Sequence, residues 1–421
     1  MSTRVMMVPG IENNDRKAEL VILKAYFITK LPAVKKVAVF LWALGFILIP
    51  LTPFFFNHIA PLEVVRTWIV LRWIEGLMVS IVLLWLLDRR KPIRINQLFA
   101  FSLTGFAISV IFSSLLGVDL VKSIVGNYYR GDGLITLFHF LGFSLIVFIL
   151  WSDKCITLIS RAIQIGVFLT CIFSLGRGWA GPFGNPVLLA GYLTVTLPFL
   201  LERITSVSGI EKVLSITLTG IAVLSLLLSG SSSAIWLGII GVLAWVFIHI
   251  RFSLKTVLIL IAASGILGLG VIWTVRYQNF IPEGRPRIFH RVLLGVLERP
   301  ILGYGWANTD YAFEKVPWPI VYDHDIYVDR AHSTMLDVLA GTGVVGLIFY
   351  TALLIRIGRV LYNRAKSANE GGNAVRGEFY NAIFLSFLLY LLHSQTNVIS
   401  QGEEMFLWFA AGVAISIDKP A

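Results

Sequence analysis

Long apolar runs separated by short polar segments make up most of this chain. The runs are about 17 to 25 residues long, which is the length of an α-helix that crosses the hydrocarbon core of a membrane. They are continuous rather than alternating, which argues against the period-two pattern of a membrane β-barrel. Twelve spans are predicted near residues 37–56, 67–87, 97–116, 133–151, 157–175, 187–201, 213–229, 233–250, 255–274, 333–355, 379–397 and 403–417. The predicted fold class is all-α, a polytopic integral membrane protein with about twelve transmembrane helices.

One long polar loop, at 275–331, interrupts the apolar pattern. It divides the chain into a tail at 1–36, a bundle of about nine spans at 37–274, the loop, three last spans at 332–417 and a short tail at 418–421. Within the loop, Phe289 to Glu298 carries apolar side chains at three- and four-residue spacing. This spacing predicts an amphipathic helix that lies on the membrane or on top of the bundle. We therefore expect the loop to carry short helices, and we expect the chemistry there.

The composition supports a membrane protein and changes how the charge is interpreted. Of the 421 residues, 57% are hydrophobic and 14% are charged, against roughly 25% charged residues in soluble domains. The mean hydropathy is +0.81. A net charge of +11 would suggest a nucleic-acid partner for a soluble chain. Here the basic residues follow the membrane topology, so we expect membrane lipids and no nucleic acid as partners.

The orientation follows from the lysines and arginines. In the tails and short connections they divide 22 to 4 between the two sides of the membrane. Basic residues in short connections mark the cytoplasmic side. Both termini are therefore predicted to be cytoplasmic, and the 275–331 loop extracytoplasmic.

A polar segment on the predicted outer side, Gly126 to Gly133, places Arg130 and Asp132 just before a helix that starts at Leu134. A helix N-terminus beside an arginine suits an anionic group. The alternative is a plain turn in which Arg130 pairs locally with Asp132. Both interpretations stay open on the sequence alone.

Three other residues on this side are candidate glycan contacts. They are Asn185 in the turn-rich segment 176–186, Tyr304 in the turn from Pro300 to Gly305, and Gln395 in the polar connection 394–404. The first segment is more readily interpreted as an interfacial aromatic anchor. The last is more readily interpreted as a solvated turn.

The segments GRPRIFHRVLLGVLERPILGYGWANTDYAF (284–313) and AHSTMLDVLAGTGVVGLIFY (331–350) resemble the signature of the O-antigen ligase and O-antigen polymerase superfamily. YYRGDGL (128–134) and GPFGNPVLLAGYL (181–193) are also similar to segments of that family. Its members are bacterial inner-membrane enzymes that transfer glycans from a polyprenyl-diphosphate carrier. The resemblance implies a GT-C-like membrane glycosyltransferase of polysaccharide or lipopolysaccharide biosynthesis. Its donor would be an undecaprenyl-diphosphate-linked glycan, and its acceptor a glycan, lipid or protein.

The resemblance also implies roles for individual residues. The family's histidine at the end of the external loop corresponds to His332, as the proposed base or orienting group. The loop arginine four residues before an aromatic corresponds to Arg285, with Phe289 where tryptophan is usual. The asparagine that often follows the histidine is replaced by Ser333.

A second family arginine is replaced by Ser232 in this chain. Either Arg130 or Arg287 supplies the missing positive charge, or activity is altered or lost.

The chemistry fits these residue types without the family. Guanidinium groups bind diphosphate oxygens in a planar, bidentate manner, and Arg130, Arg287 and Arg291 are candidates for this contact beside Arg285. A histidine near neutral pKa accepts the proton of an attacking hydroxyl, and His332 is the candidate for this role. The alternative is that His332 only caps or hydrogen-bonds the loop. The arginine-rich segments lack a clustered set of metal ligands, so we predict no metal and no cofactor.

Two other classes of function stay open. A transporter or flippase for a lipid-linked glycan would carry charged residues within its spans, and Arg72 and Glu75 are the main candidates. They lie one turn apart and so are also placed to pair with each other. An inactive glycan-binding paralogue would explain Ser232. Among transferases, the sequence leaves polymerase, lipid ligase and protein glycan transferase open.

Overall fold

The computed structural model describes residues 33–51, 62–87, 95–175, 180–249, 285–315, 328–371 and 374–417. These residues form helices and turns, and no strand occurs among them. The prediction of an all-α polytopic membrane protein is confirmed. The helices are α1 (33–48), α2 (Leu62–Leu87), α3 (Gln97–Leu115), α4 (Leu120–Val125), α5 (Leu134–Leu150), α6 (Ile156–Leu175), α7 (Pro186–Ser206), α8 (Gly209–Leu228), α9 (Ser232–His249), α10 (Arg285–Val296), α11 (Thr309–Glu314), α12 (Thr334–Glu370), α13 (Ala374–His393) and α14 (Gln401–Ile417).

Nine helices in the described part are long and apolar enough to cross a membrane. α5 is a shorter apolar helix of 17 residues. α14 also has 17 residues, and its first turn carries Glu403 and Glu404. The predicted span at 255–274 lies outside the described residues, so the count of twelve stays a prediction.

Helix α12 bends sharply at Gly343, whose φ of 63° is non-helical. The turn from Pro300 to Gly305 fits into this bend. Tyr304 N donates to Ala340 O at 2.8 Å, and Val344 N donates to Pro300 O at 2.8 Å. A Cβ on Gly343 would lie 2.1 Å from Ile301 O, so only glycine allows this approach. The bend therefore fixes the loop against the start of α12.

The described part of the loop has a hydrophobic core of its own. Ile288, Val292 and Val296 of α10 pack there with Phe313 and with Ala331 beside the loop end. α10 begins four residues before the predicted start at Phe289. Pro286 is tolerated there because the first helical turn needs no intrahelical N–H donors.

The other side of α10 exposes apolar side chains. Leu293, Leu294 and Leu297 are 45%, 39% and 71% exposed. α10 thus has one apolar face in the loop core and another facing outward, as expected for a helix on a membrane surface.

The opposite end of the bundle is marked by Asp153. Its carboxylate pairs with Arg376 at 2.8 Å and accepts from the Tyr380 hydroxyl at 2.7 Å. Trp151 stacks on Phe379 with ring centroids 5.7 Å apart. These contacts join the end of α5 to the start of α13. The described loop and His332 therefore lie at the other end, where α5 and α12 begin and α13 ends.

Candidate functional site

His332 lies in the turn before α12 with a left-handed backbone, φ 59°. Few residues other than glycine adopt this conformation, and it is concentrated at functional sites. The turn is held from within α12, since Ala331 N donates to Asp337 Oδ1 at 2.9 Å. Ser333 is the N-cap of the helix and its side chain accepts from Leu336 N. The backbone of His332 is thus fixed on both sides while its ring stays half-buried.

The start of α12 is also tied to the connection between α13 and α14. Thr334 N donates to Ser394 O at 2.8 Å, and the Ser333 hydroxyl donates to Gln395 Oε1 at 2.9 Å. Ser333 and Thr334 therefore link the turn that carries His332 to this connection.

Two crossed ion pairs join the 126–133 segment to the residues before His332. Arg130 Nε lies 2.6 Å from Asp329 Oδ2, and Arg330 Nε donates to Asp132 Oδ2 at 3.0 Å. The interpretation of the segment as a turn with a local Arg130–Asp132 pair is therefore wrong. Thr67 of α2 supports the segment, because its hydroxyl donates to Arg130 O at 2.7 Å. Each carboxylate finds its cation about 200 residues away in the chain.

Arg285, the first residue of α10, reaches the same place from the other side. Its Nη2 donates to Asn397 Oδ1 at 2.8 Å. Asn397 Nδ2 donates to Ser233 Oγ at 2.8 Å. Asn397 therefore connects Arg285 to the start of α9. Ser232, at the position of the family arginine, adjoins this cluster and is exposed.

The charges around His332 act on its protonation. Burial lowers the pKa of His332, and the positive charges of Arg285 and Arg130 lower it further, while Asp329 opposes them. A histidine with a lowered pKa is neutral at neutral pH and is able to accept a proton. Burial also lowers the pKa of Arg285. His332 therefore lies in a cationic surrounding that keeps it unprotonated.

Burial alone would raise the pKa of Asp132, but the charge and hydrogen bonds of Arg330 lower it. The Asp132–Arg330 pair is therefore ionised. The Arg130–Asp329 pair, with both side chains 19% exposed, is the more accessible of the two. Arg130 is thus the paired arginine better placed to exchange its carboxylate for an anionic ligand.

Other residues predicted for the site lie elsewhere. Arg291 is buried in the loop core with its guanidinium 3.9 Å above the Phe313 ring. This position in the loop core does not suit contact with a diphosphate. The side chain of Arg287 lies outside the described residues. Of the four arginines predicted to bind the diphosphate, the structure brings Arg285 and Arg130 to His332.

The three candidate glycan contacts also have structural roles. Tyr304 is fully buried and its hydroxyl donates to Gly295 O at 2.8 Å, so a direct glycan contact at Tyr304 is wrong. Asn185 is exposed and caps α7 by accepting from Val187 N at 2.8 Å. Gln395 lies at the site, but its side chain is engaged by Ser333.

Sequence reasoning missed Asp329, Asp337 and Asn397 as residues of the site. Asp329 and Asp337 flank His332 at three and five residues, and a search for carboxylates near the histidine would have found them. Asn397 stands in a connection that the sequence singled out only as unusually polar. Its contact with Arg285 depends on tertiary structure and leaves no local signal.

The charged residues that the sequence offered for a transport path pair with each other. Arg72 Nη2 lies 2.6 Å from Glu75 Oε1, and the two side chains are 68% and 37% exposed. Arg72 is exposed on the surface of α2, and Glu75 also lies 3.3 Å from His139 Nε2 of α5. Among the described residues no group of histidines, cysteines and carboxylates suits a metal ion.

The fold and site define a polytopic membrane protein with a neutral histidine between arginines at one end of a helical bundle. Residues 217–351 match the family described as O-antigen ligase. The matched segment runs from α8 into α12 and contains Ser232, Arg285 and His332. It confirms the resemblance that the motifs indicated and supports an O-antigen ligase-like membrane glycosyltransferase at the level of the family. A comparison with curated proteins finds no match.

Proposed function

We propose that this protein transfers a glycan from an undecaprenyl-diphosphate carrier to an acceptor hydroxyl, on the extracytoplasmic side of a bacterial inner membrane. One observation carries the proposal. His332 lies half-buried between Arg285 and the Arg130–Asp329 pair, and its pKa is lowered by burial and by both arginines. A neutral base and two cations at one end of a membrane bundle match the needs of transfer from a diphosphate.

In the proposed reaction, His332 accepts the proton of the acceptor hydroxyl while its oxygen attacks the anomeric carbon of the donor sugar. The new carbon–oxygen bond forms as the bond from the anomeric carbon to the diphosphate oxygen breaks. The electron pair stays on that oxygen, which leaves as undecaprenyl diphosphate. The proton is later lost from His332 to water. In-line attack inverts the anomeric configuration.

The arginines stabilise the charge that develops on the leaving diphosphate. Arg285 is already oriented by Asn397, and Arg130 is oriented by Asp329. Oriented donors act strongly in a partly buried site because they need little rearrangement during the reaction. Arg130 takes the role of the arginine replaced by Ser232, since it contributes the second positive charge beside His332. The reaction needs no metal in this scheme.

The test uses purified protein in liposomes with undecaprenyl-diphosphate-linked glycan and a panel of acceptors. The panel consists of a second carrier-linked glycan, a lipid-core acceptor and a peptide acceptor. Release of undecaprenyl diphosphate together with a glycosylated acceptor supports the proposal, and the acceptor used separates polymerase, lipid ligase and protein transferase. Movement of the intact carrier-linked glycan between leaflets without bond cleavage would instead establish a flippase.

A deletion strain gives an independent result. It should accumulate carrier-linked glycan and lack the glycosylated product. A strain in which both are unchanged would contradict the proposed function and favour an inactive glycan-binding paralogue.

A further inference from the structure

A cavity lies between α2, α3, α5, α12 and α14, next to the turn that carries His332. Its wall includes Arg330 and Thr334, which flank His332 in sequence, Arg130, and Asn397, which binds Arg285. The side chains of Arg130 and Arg330 are 19% and 16% exposed. The cavity therefore shares Arg130 with the proposed diphosphate site.

The cavity has the size of one sugar ring. The space open to the centres of water molecules is about 100 Å³. That space takes roughly seven waters or more, equivalent to about 200 Å³ of liquid. A hexose ring has about this volume.

Aromatic side chains form one part of the wall. Trp306, Tyr350, Trp408, Phe106 and Phe140 all line the cavity. Their flat faces suit the C–H face of a pyranose ring, which is apolar although its edges carry hydroxyls.

Fixed polar groups form the other part of the wall. Glu404 lines the cavity and is held by two donors, the Tyr390 hydroxyl and Trp408 Nε1, the latter at 2.8 Å. Asp337, Asn397 and Gln401 line it as well. Carboxylates accept from sugar hydroxyls, and amides both donate and accept. This combination of acceptors and donors suits the hydroxyl groups of a neutral sugar.

We infer that this cavity binds one pyranose ring of the glycan, next to the bond that is transferred. The inference rests on the proposed function and names the sugar subsite that belongs to it. The ring is either the donor sugar bonded to the diphosphate or the acceptor sugar that carries the attacking hydroxyl. Both present the same hydroxyls and apolar face, and the experiment separates them.

The experiment measures binding to the purified full chain in detergent. The probes are undecaprenyl diphosphate alone and undecaprenyl diphosphate bearing glucose, galactose, N-acetylglucosamine or N-acetylgalactosamine. Methyl glycosides of the same four sugars stand in for the acceptor. If the cavity holds the donor sugar, at least one sugar should increase carrier affinity about tenfold, equivalent to one or two good hydrogen bonds. If it holds the acceptor sugar, at least one methyl glycoside should bind to the parent protein.

Two variants remove the subsite by different means. Val338→Phe fills the cavity from α12, since Val338 lines it. Glu404→Gln keeps the shape and removes the carboxylate. The Tyr390 hydroxyl is able to turn and accept from the new amide, so folding is retained. The matched control is Glu202→Gln, a buried carboxylate of α7 that accepts from Ser160 and lies off the cavity wall.

Loss of the tenfold gain in both variants, with bare carrier bound as in the parent and the control, assigns the cavity to the donor sugar. Loss of methyl glycoside binding in both variants, with unchanged affinity for every carrier, assigns it to the acceptor sugar. If no sugar increases carrier affinity and no methyl glycoside binds, or if both variants keep every preference, the inference is overturned. A parent protein that binds no carrier at all would instead overturn the proposed function.

Discussion

At the scale of single residues, the backbone of His332 is as informative as its ring. A left-handed φ costs a residue with a Cβ about 1 kcal/mol or more, and here the neighbouring contacts of Ala331 and Ser333 impose it. The proposed base and a strained backbone therefore lie at the same residue. Replacing His332 with alanine or with glycine separates the effect of the side chain from that of the backbone.

We expect His332→Ala and His332→Gly both to lower transfer by about 10² to 10⁴, since each removes the base. The free energy of unfolding of the glycine variant should exceed that of the alanine variant by about 1 kcal/mol, because glycine adopts φ 59° without strain. Transfer assays and thermal melting of the purified variants check this. Parental transfer rates in either variant would remove His332 from the mechanism.

The lowered pKa of His332 predicts a pH dependence. Acid protonates the histidine and removes the base, so kcat/KM should fall as pH drops through the lowered pKa. Since burial, Arg285 and Arg130 lower this pKa, the fall should come below the ordinary 6.5. Asp329 opposes this shift, so Asp329→Asn should move the fall to still lower pH. A fall centred above 6.5 in the parent would contradict the assignment.

The geometry of Arg285 predicts that charge alone is insufficient. Among the described residues, its guanidinium donates from one nitrogen to Asn397, and its planar fork suits an anion. Lysine presents a single point of charge and lacks this fork. Arg285→Lys should therefore lose transfer nearly as severely as Arg285→Ala, when rates with the carrier-linked glycan are compared. Full activity of the lysine variant would mean that Arg285 acts by electrostatics only or lies outside the site.

At the scale of elements, the bend in α12 and the glycine turn of the loop form one unit. We expect Gly343→Ala to destabilise the protein by about 2 to 4 kcal/mol, through a left-handed alanine and a clash with Ile301 O. Gly220→Ala in α8 is the control, because nothing lies within 4 Å of an added Cβ there. Thermal melting measures both. Equal melting of the two variants would show that the bend tolerates side chains.

Helices were predictable from the sequence because a membrane span must be a long apolar run. The described spans agree with the predicted ones, although α12 extends to Glu370, well beyond 355. Polar residues such as Arg364 end the apolar pattern without ending the helix. The bend at Gly343 was not predicted, since the sequence alone does not show which backbone approaches this glycine.

Site residues that belong to a sequence motif were predictable. Contacts between residues that are distant in sequence were not. His332 and Arg285 follow from motifs, and the structure brings them together with Arg130. The local interpretation of Arg130 with Asp132 was wrong because an alternative partner, Asp329, lies about 200 residues away. Sequence spacing cannot reveal such pairs.

At the scale of the whole molecule, the basic residues predict which end of the bundle faces the cytoplasm. The end with Asp153, Arg364 and Arg376 is opposite the end with His332. A reporter inserted within 323–330 should therefore be extracytoplasmic, and one at Asn369 cytoplasmic. Paired reporters active only inside or only outside the cell check this. The reverse pattern would place His332 on the cytoplasmic side, away from an extracytoplasmic acceptor.

The crossed ion pairs and the Arg285–Asn397 contact bear on how the protein is made. His332 is surrounded by residues of α2 and the 126–133 segment, which emerge early from the ribosome, and by Asn397, which emerges almost last. A nascent chain that has inserted α12 already contains the histidine, but Asn397, which binds Arg285, is synthesised only after α13. The set of contacts around His332 is therefore complete only when translation is nearly finished.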